Sequence, residues 1–149
     1  MAVPPGHERV MTLTASGTIN YECRARTGMA GAYVWTVSAP DASLRHWSGW
    51  RVGRLYAGPT WAYRDGSRLR GTLLGAISAG ADRLPDQLWK AQPLDRAGEF
   101  ALVTHIRRTN ATSGPPPATA CDASRVGREA KAQYAADYSF FAPTRPTRP

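Results

Sequence analysis

Residues 52–61 of the chain read VGRLYAGPTW, a pattern that predicts two short strands joined by a bend. With the period-2 alternation of a strand, Val52, Arg54 and Tyr56 share one face. Gly58-Pro59 ends the first strand because proline donates no backbone hydrogen bond and glycine permits unusual dihedrals. The strand is expected to resume at Thr60 after this bend or bulge. Residues 44–47 precede Ser48-Gly49 and are predicted to pair with this stretch as a β-hairpin.

The rest of the chain repeats this arrangement of short strands separated by turn signals. Turns are predicted at Ser16-Gly17, at Pro40-Asp41-Ala42 and at Asp65-Gly66, the last of which closes a hairpin. Residues 100–108 form the clearest strand pattern. About nine or ten short strands with closely spaced turns predict an all-β fold, either an antiparallel β-sandwich or a closed β-barrel.

The length of 149 residues suits one domain. We expect a single β domain over residues 1–142, followed by a disordered tail rich in proline and arginine at residues 143–149. A chain of this size buries enough surface to fold without a metal or a disulfide. No apolar stretch reaches about 18 residues, so no transmembrane helix is expected.

The formal net charge of +8 comes almost wholly from arginine, since lysine occurs only at Lys90 and Lys131. Such a charge suits nucleic acid, anionic polymers or membrane surfaces as partners. The arginines are spread along the chain instead of forming one run, which favours a compositional origin for the charge.

Two cysteines bear on the cellular compartment. Cys23 lies on a predicted strand and Cys121 follows a proline-rich connection, a separation that does not fit a zinc site but is ordinary for a disulfide. The residues before the first strand lack the pattern of a signal peptide, which leaves a cytosolic protein or a mature secreted form. We expect a secreted or periplasmic location.

Aromatic and arginine side chains concentrate around the predicted hairpin, and they form the candidate ligand-binding surface. Such a set can stack on the flat face of a ligand and pair with its oxygens, although large aromatics on strands are more often core residues. Single-stranded nucleic acid and sugars both fit this surface. The expected secreted or periplasmic location makes nucleic acid a poor candidate and favours a neutral or anionic glycan or cell-wall polymer. The candidate ligand-binding residues are Trp47, Trp50, Arg51, Arg54, Tyr56, Trp61 and His105.

The chain contains no sequence motif of a catalytic nucleophile, a nucleotide cofactor or a metal site. No Gly-x-Ser-x-Gly elbow or phosphate-binding glycine loop is present, so no cofactor is predicted. The three histidines, His7, His46 and His105, show no pairing at ligand spacing, so no metal site is predicted. A non-catalytic binding protein is the favoured function. The alternatives are a small barrel enzyme of the cyclase or isomerase type, a barrel that holds a small hydrophobic ligand, or a metal-binding extracellular protein.

An ordered set of motifs spans nearly the whole chain. It comprises residues 3–7, 17–23, Trp35 with 39–42, 52–61, 65–67, 103–108, Cys121-Asp122 and 134–141. Together these motifs resemble an uncharacterised family of secreted bacterial and fungal proteins, a domain of unknown function. The resemblance implies an exported β domain in which Cys23 pairs with Cys121, and it implies no activity. Members of that family often carry histidine where this chain has Leu55, so any metal or acid-base role of that position is absent here.

Overall fold

A computed structural model describes residues 1–145, and these residues are built almost entirely from β-strands. The described part of the chain contains eight strands and one short 3-10 turn, Ala123–Arg125. The strands are β1 His7–Ala25, β2 Tyr33–Arg45, β3 Arg51–Tyr56, β4 Thr60–Tyr63, β5 Arg68–Ile77, β6 Asp86–Pro93, β7 His105–Ser113 and β8 Glu129–Pro143.

The strands form one closed antiparallel barrel, which confirms the all-β prediction and decides between its two architectures. Each strand pairs with the next along the chain, and β8 returns to pair with β1. We call the end where β1 begins and β8 finishes the lower end, and the opposite end the upper end. Within residues 1–145, no helix has the length and apolar character that a membrane span requires.

The barrel has eight strands where the sequence suggested nine or ten, because two predicted turns lie inside long strands. Gly17 is an internal residue of β1, and a Cβ there would overlap the backbone of Asp41 and Ala42. This glycine therefore permits the close approach of β2 and makes no turn. Pro40 pairs with Ile19 at a register shift, a position where a strand tolerates proline.

The hairpins predicted through Ser48-Gly49 and through Asp65-Gly66 are confirmed, whereas the one predicted through Ser16-Gly17 is wrong because β1 runs straight through it. The β2–β3 turn is closed by a 2.8 Å hydrogen bond from the His46 amide to the Trp50 carbonyl. Gly58-Pro59 joins β3 to β4 through a cis peptide bond. Gly66 in the β4–β5 turn has a φ of +95°, which is a backbone conformation that glycine adopts without strain.

The strand predicted over residues 100–108 is only partly correct, because β7 begins at His105. Phe100 and Val103 lie instead in a turn-rich loop, where they are buried in the core. The Phe100 ring stacks on Phe140, with 4.9 Å between ring centroids. These apolar side chains pack against the lower core of the barrel, so their hydrophobicity reflects burial in a loop and not strand pairing.

A disulfide precedes β8, and the predicted tail follows it. The predicted disulfide is present, with 5.5 Å between the Cα atoms of Cys23 and Cys121, and it ties the end of β1 to the loop before β8. Pro143, the first residue of the predicted disordered tail, is the last residue of β8. Residues 146–149 of that tail lie outside the described residues.

The barrel wall is incomplete in its upper half, because β3 and β4 are short. β2 pairs with β3 only through residues 42–45, and β5 pairs with β4 only through residues 68–70. Above those positions no strand of the described chain lies between β2 and β5. Val37 and Leu73 lie beside this gap. They pair with Tyr21 and Trp89, which pack in or against the core, yet Val37 is 39 % exposed and Leu73 is 47 % exposed.

Candidate functional site

The barrel encloses a cavity of about 570 Å³ in its upper half. Its walls come from every strand except β5, from the β3–β4 turn and from the loop before β6. The lining residues are Ile19, Val37, Ser38, Pro40, Leu55, Gly58, Pro59, Trp61, Leu84, Pro85, Gln87, Trp89, Arg108 and Tyr138. Since Val37 is both a lining residue and solvent-exposed, the cavity opens towards the gap beside β2.

Three aromatic rings form the interior wall of the cavity. Trp61 is 1 % exposed and meets Trp89 and Tyr138 edge-on, with centroid distances of 5.9 and 5.7 Å. The six-membered ring of Trp61 lies against β5 at Gly71, where a Cβ would stand 2.6 Å from its Cζ3 atom. Glycine at that position therefore lets the indole sit back from the cavity.

Arg108 brings a positive charge into this largely apolar wall. It is 7 % exposed, and its guanidinium donates to the Pro85 carbonyl from Nη2 at 2.7 Å and from Nε at 3.3 Å. Nη1 donates to the hydroxyl of Tyr134 at 3.4 Å. Within residues 1–145 Arg108 takes part in no ion pair, so all of its protein partners are neutral.

Two tyrosine hydroxyls adjoin the guanidinium. The hydroxyls of Tyr134 and Tyr138 lie 2.7 Å apart, and both side chains are buried. Burial, together with the nearby Tyr134, raises the pKa of Tyr138 well above its usual range. The phenol of Tyr138 therefore remains protonated at physiological pH.

The indole nitrogens of the two cavity tryptophans differ in their hydrogen bonding. Trp89 donates its Nε1–H to the side-chain oxygen of Gln87 at 3.0 Å. Nε1 of Trp61 is buried and has no hydrogen-bond partner within the described part of the chain. An unpaired buried donor is costly, so this indole N–H requires an explanation that the protein groups around it do not supply.

The outer face of the β3–β4 hairpin carries most of the residues that the sequence singled out. Arg51, Arg54 and Tyr56 line a depression there, and Trp50 lines an adjoining one. Arg54 forms an exposed ion pair with Asp41 at 3.2 Å and lies 5.9 Å from the centre of the Tyr56 ring. We call this face, together with the β2–β3 turn, the hairpin surface.

The β2–β3 turn places two tryptophans in solvent at the edge of the hairpin surface. Trp47 and Trp50 are 87 % and 72 % exposed. Large apolar side chains that lie so fully in water are often part of an interaction surface. The predicted exposed platform is thus present for these two residues.

Two residues expected to lie with Arg54 and the exposed tryptophans, Trp61 and Val52, are buried instead. Trp61 lies inside the barrel, so it cannot join Trp47 and Trp50 on an open face. Val52 was expected on the same face as Arg54 but is buried, next to a register shift between β2 and β3. Strand alternation assigned Arg54 to the correct face. It could not show which face of β4 becomes the interior when the barrel closes.

His105 is separate from both the cavity and the hairpin surface. It begins β7 near the lower end of the barrel, where its ring meets that of His7 edge-on at 4.9 Å and its Nδ1 hydrogen-bonds with the Thr104 hydroxyl. Burial lowers the pKa of His105, and the nearby His7 and Lys90 lower it further. The structure therefore does not bring His105 together with the tryptophans of the predicted ligand-binding set.

Among residues 1–145, no group of three His, Cys, Asp or Glu side chains lies where it would hold a metal ion.

Sequence reasoning did not single out Arg108, Trp89 or Tyr138. A usable signal exists for Arg108, because it follows the apolar Ile106 by two residues on one strand and so shares its inward face.

Residues 4–142 match the family described as "Protein of unknown function (DUF3455)". The chain belongs to this family. The match confirms the resemblance drawn from the motifs, and it covers every strand of the barrel except the last residue of β8. No curated protein and no solved structure matches this DUF3455 chain.

Proposed function

We propose that the chain is a binding protein for a small, largely aromatic organic molecule, which it holds in the barrel cavity. The observation that carries this proposal is the cavity of about 570 Å³ walled by Trp61, Trp89 and Tyr138. Pockets for small molecules commonly have volumes of about 300 to 1,000 Å³ and apolar, aromatic walls with a few polar groups. The volume and the composition of this cavity both match that description.

The gap in the barrel wall supports the proposal because it gives a ligand a route into the cavity. Val37 lies at this gap and also lines the cavity, whereas the equally accessible Val34 on the same strand does not line it. A bulky side chain at Val37 should therefore obstruct the cavity without disturbing the lower core. Val34 provides the matched control.

Fluorescence of the neutral probe N-phenyl-1-naphthylamine tests the proposal. The native protein and Val34→Trp should bind the probe with increased emission. Val37→Trp should bind it at least tenfold more weakly, which corresponds to a loss of about 1.4 kcal/mol of binding free energy. Equal binding by all three proteins, or no binding by the native protein, would contradict a cavity site.

A second candidate function is the binding of a neutral or anionic glycan or cell-wall polymer at the hairpin surface. The observation that favours it is the exposure of Trp47 and Trp50 beside Arg51 and Arg54. Exposed aromatics stack on flat ligand faces and guanidinium groups attract anionic groups. Stacking persists at high salt, whereas the attraction between exposed charges is screened.

Polymer binding at low and high salt tests this second function. Trp50→Ala should weaken binding by about 1 to 3 kcal/mol at every salt concentration, by analogy with base stacking. Arg51→Ala should mainly reduce the salt dependence, and Arg26→Ala, an exposed arginine at the other end of the barrel, should change neither. A similar loss for both arginine variants would mean that net charge alone drives the interaction.

The disulfide supports a secreted or periplasmic location for either function. Structural disulfides persist in oxidising compartments and are rare in the cytosol. Trapping of free thiols in protein taken from its natural host should label neither Cys23 nor Cys121. Labelling of both cysteines would place the working protein in a reducing compartment.

A further inference from the structure

Arg108 is the feature of the cavity that its role as an aromatic pocket leaves unexplained. Among the lining residues within positions 1–145, it alone carries a charge. Within residues 1–145 its partners are a carbonyl and a hydroxyl, and no carboxylate of that part of the chain forms an ion pair with it. A buried charge without a counter-charge is strongly disfavoured, so the fold keeps this guanidinium at a cost.

The guanidinium also has hydrogen-bonding capacity to spare. Nη1 and Nη2 each carry two N–H donors, and each makes one hydrogen bond to a protein group. The remaining donors belong to a side chain that lines the cavity. Two N–H groups on one planar guanidinium match the two oxygens of a carboxylate.

The other polar groups of the cavity point to the same ligand chemistry. Trp61 Nε1–H is a buried donor without a partner in the described part of the chain, and the Tyr138 phenol retains its proton. Asp86 is adjacent to Pro85, but it does not line the cavity and forms no ion pair with Arg108. The cavity therefore offers donors and one positive charge, with no acidic side chain among its lining residues.

We propose that the ligand of this cavity is an aromatic or apolar carboxylic acid, whose carboxylate pairs with Arg108 while its ring packs against Trp61, Trp89 and Tyr138. This inference rests on the proposed function, because it assigns the ligand class of the same cavity. The carboxylate supplies the counter-charge that residues 1–145 do not place beside Arg108. Trp61, whose buried indole N–H has no partner within residues 1–145, belongs to the same wall.

Calorimetry with a matched pair of compounds tests the ligand class. Naphthalene-2-carboxylate and naphthalene-2-carboxamide have nearly the same shape, but only the first carries a charge. The native protein should bind the acid roughly ten- to hundredfold more tightly than the amide, the range of a charge-assisted hydrogen-bonded pair. Val37→Trp should weaken both, which excludes binding of the acid to basic groups on the surface.

Two substitutions of Arg108 separate recognition of the acid from a structural role. Arg108→Gln should lower the affinity for the acid to that for the amide, while the affinity for the amide changes less than about threefold. Arg108→Lys should retain part of the preference because it keeps the charge but loses the planar pair of donors. An equal loss of both affinities in Arg108→Gln would show that the residue only supports the cavity wall.

The outcomes distinguish a failure of this inference from a failure of the proposed function. If the native protein binds N-phenyl-1-naphthylamine but binds acid and amide equally, the carboxylate assignment is wrong and the cavity site stands. If it binds none of the three compounds, the cavity site itself is wrong. The ratio of acid to amide affinity in the native protein decides the matter even if Arg108→Gln does not fold.

Discussion

Gly71→Ala tests whether Trp61 is held back from the cavity by the absence of a side chain on β5. A Cβ at Gly71 would lie 2.6 Å from Cζ3 and 2.9 Å from Cη2 of Trp61, and 3.1 Å from Cε3 of Trp89. Ordinary contacts between carbon atoms are about 3.5 to 4.0 Å, so the indole has to move by about 1 Å. The free space next to it is the cavity.

Two effects of Gly71→Ala follow from this overlap. Overpacking of a core costs about 1 to 3 kcal/mol, which corresponds to a decrease in Tm of roughly 2 to 12 °C for a chain of this size. The displaced Trp61 should also occupy ligand space, so binding of N-phenyl-1-naphthylamine should weaken. Urea unfolding, thermal unfolding and the fluorescence titration measure these effects.

Gly75→Ala on the same strand is the matched control. A Cβ at Gly75 would meet only the Met1 side chain, at 3.1 Å from its Sδ, and a terminal side chain can move aside. This variant should equal the native protein or gain up to about 1 kcal/mol from the lower entropy of its unfolded chain. If Gly71→Ala matched Gly75→Ala in stability and in probe binding, the inferred position of Trp61 against β5 would be refuted.

Three further predictions concern the rest of the barrel. Replacing both Cys23 and Cys121 by Ala should reduce the free energy of unfolding, measured in urea, by about 4 to 5 kcal/mol, because the bond closes a separation of 98 residues; a loss below about 1 kcal/mol would contradict this. The lowered pKa of His105 means that the unfolded chain takes up a proton first, so stability should be full above about pH 6.5 and fall as the pH decreases from there. His105→Gln should flatten that fall in Tm, and an unchanged slope would remove His105 as its cause. Asp65 accepts hydrogen bonds from the Ser67 hydroxyl, the Ser67 amide and the Glu99 amide, which lower its pKa; the stability this gives should be lost as the pH falls below about 3.8, and circular dichroism should show a shallower acid transition for Asp65→Asn.

The parts of the fold that the sequence predicted correctly are those set by local chemistry. Asp65-Gly66 and Gly58-Pro59 form turns because their own backbone preferences are satisfied there. Gly17 and Pro40 carry the same residue types, but their roles depend on the neighbouring strand: one permits close approach and the other lies at a register shift. Such roles depend on pairing between distant residues, so a reading of local signals mistakes them for turns.

The candidate site shows the same limit. Alternation placed Arg54 and Tyr56 on one face, and the structure has both on the hairpin surface. It could not show that Trp61 on the next strand lies inside, because the interior is defined only when the barrel closes. The cavity itself depends on the short length of β3 and β4 relative to β2 and β5, and no single residue encodes that difference.

Nuclear magnetic resonance of the tryptophan indole N–H groups tests the cavity site most directly. The five tryptophans of the chain report on separate places: Trp61 and Trp89 line the cavity, Trp47 and Trp50 lie in solvent, and Trp35 donates to the Thr119 carbonyl. On titration with naphthalene-2-carboxylate, the Trp61 and Trp89 signals should shift saturably while those of Trp47 and Trp50 stay in place. The largest change is expected at Trp61, whose indole N–H has no partner within residues 1–145. Shifts confined to Trp47 and Trp50 would contradict ligand binding inside the barrel and move the site to the hairpin surface.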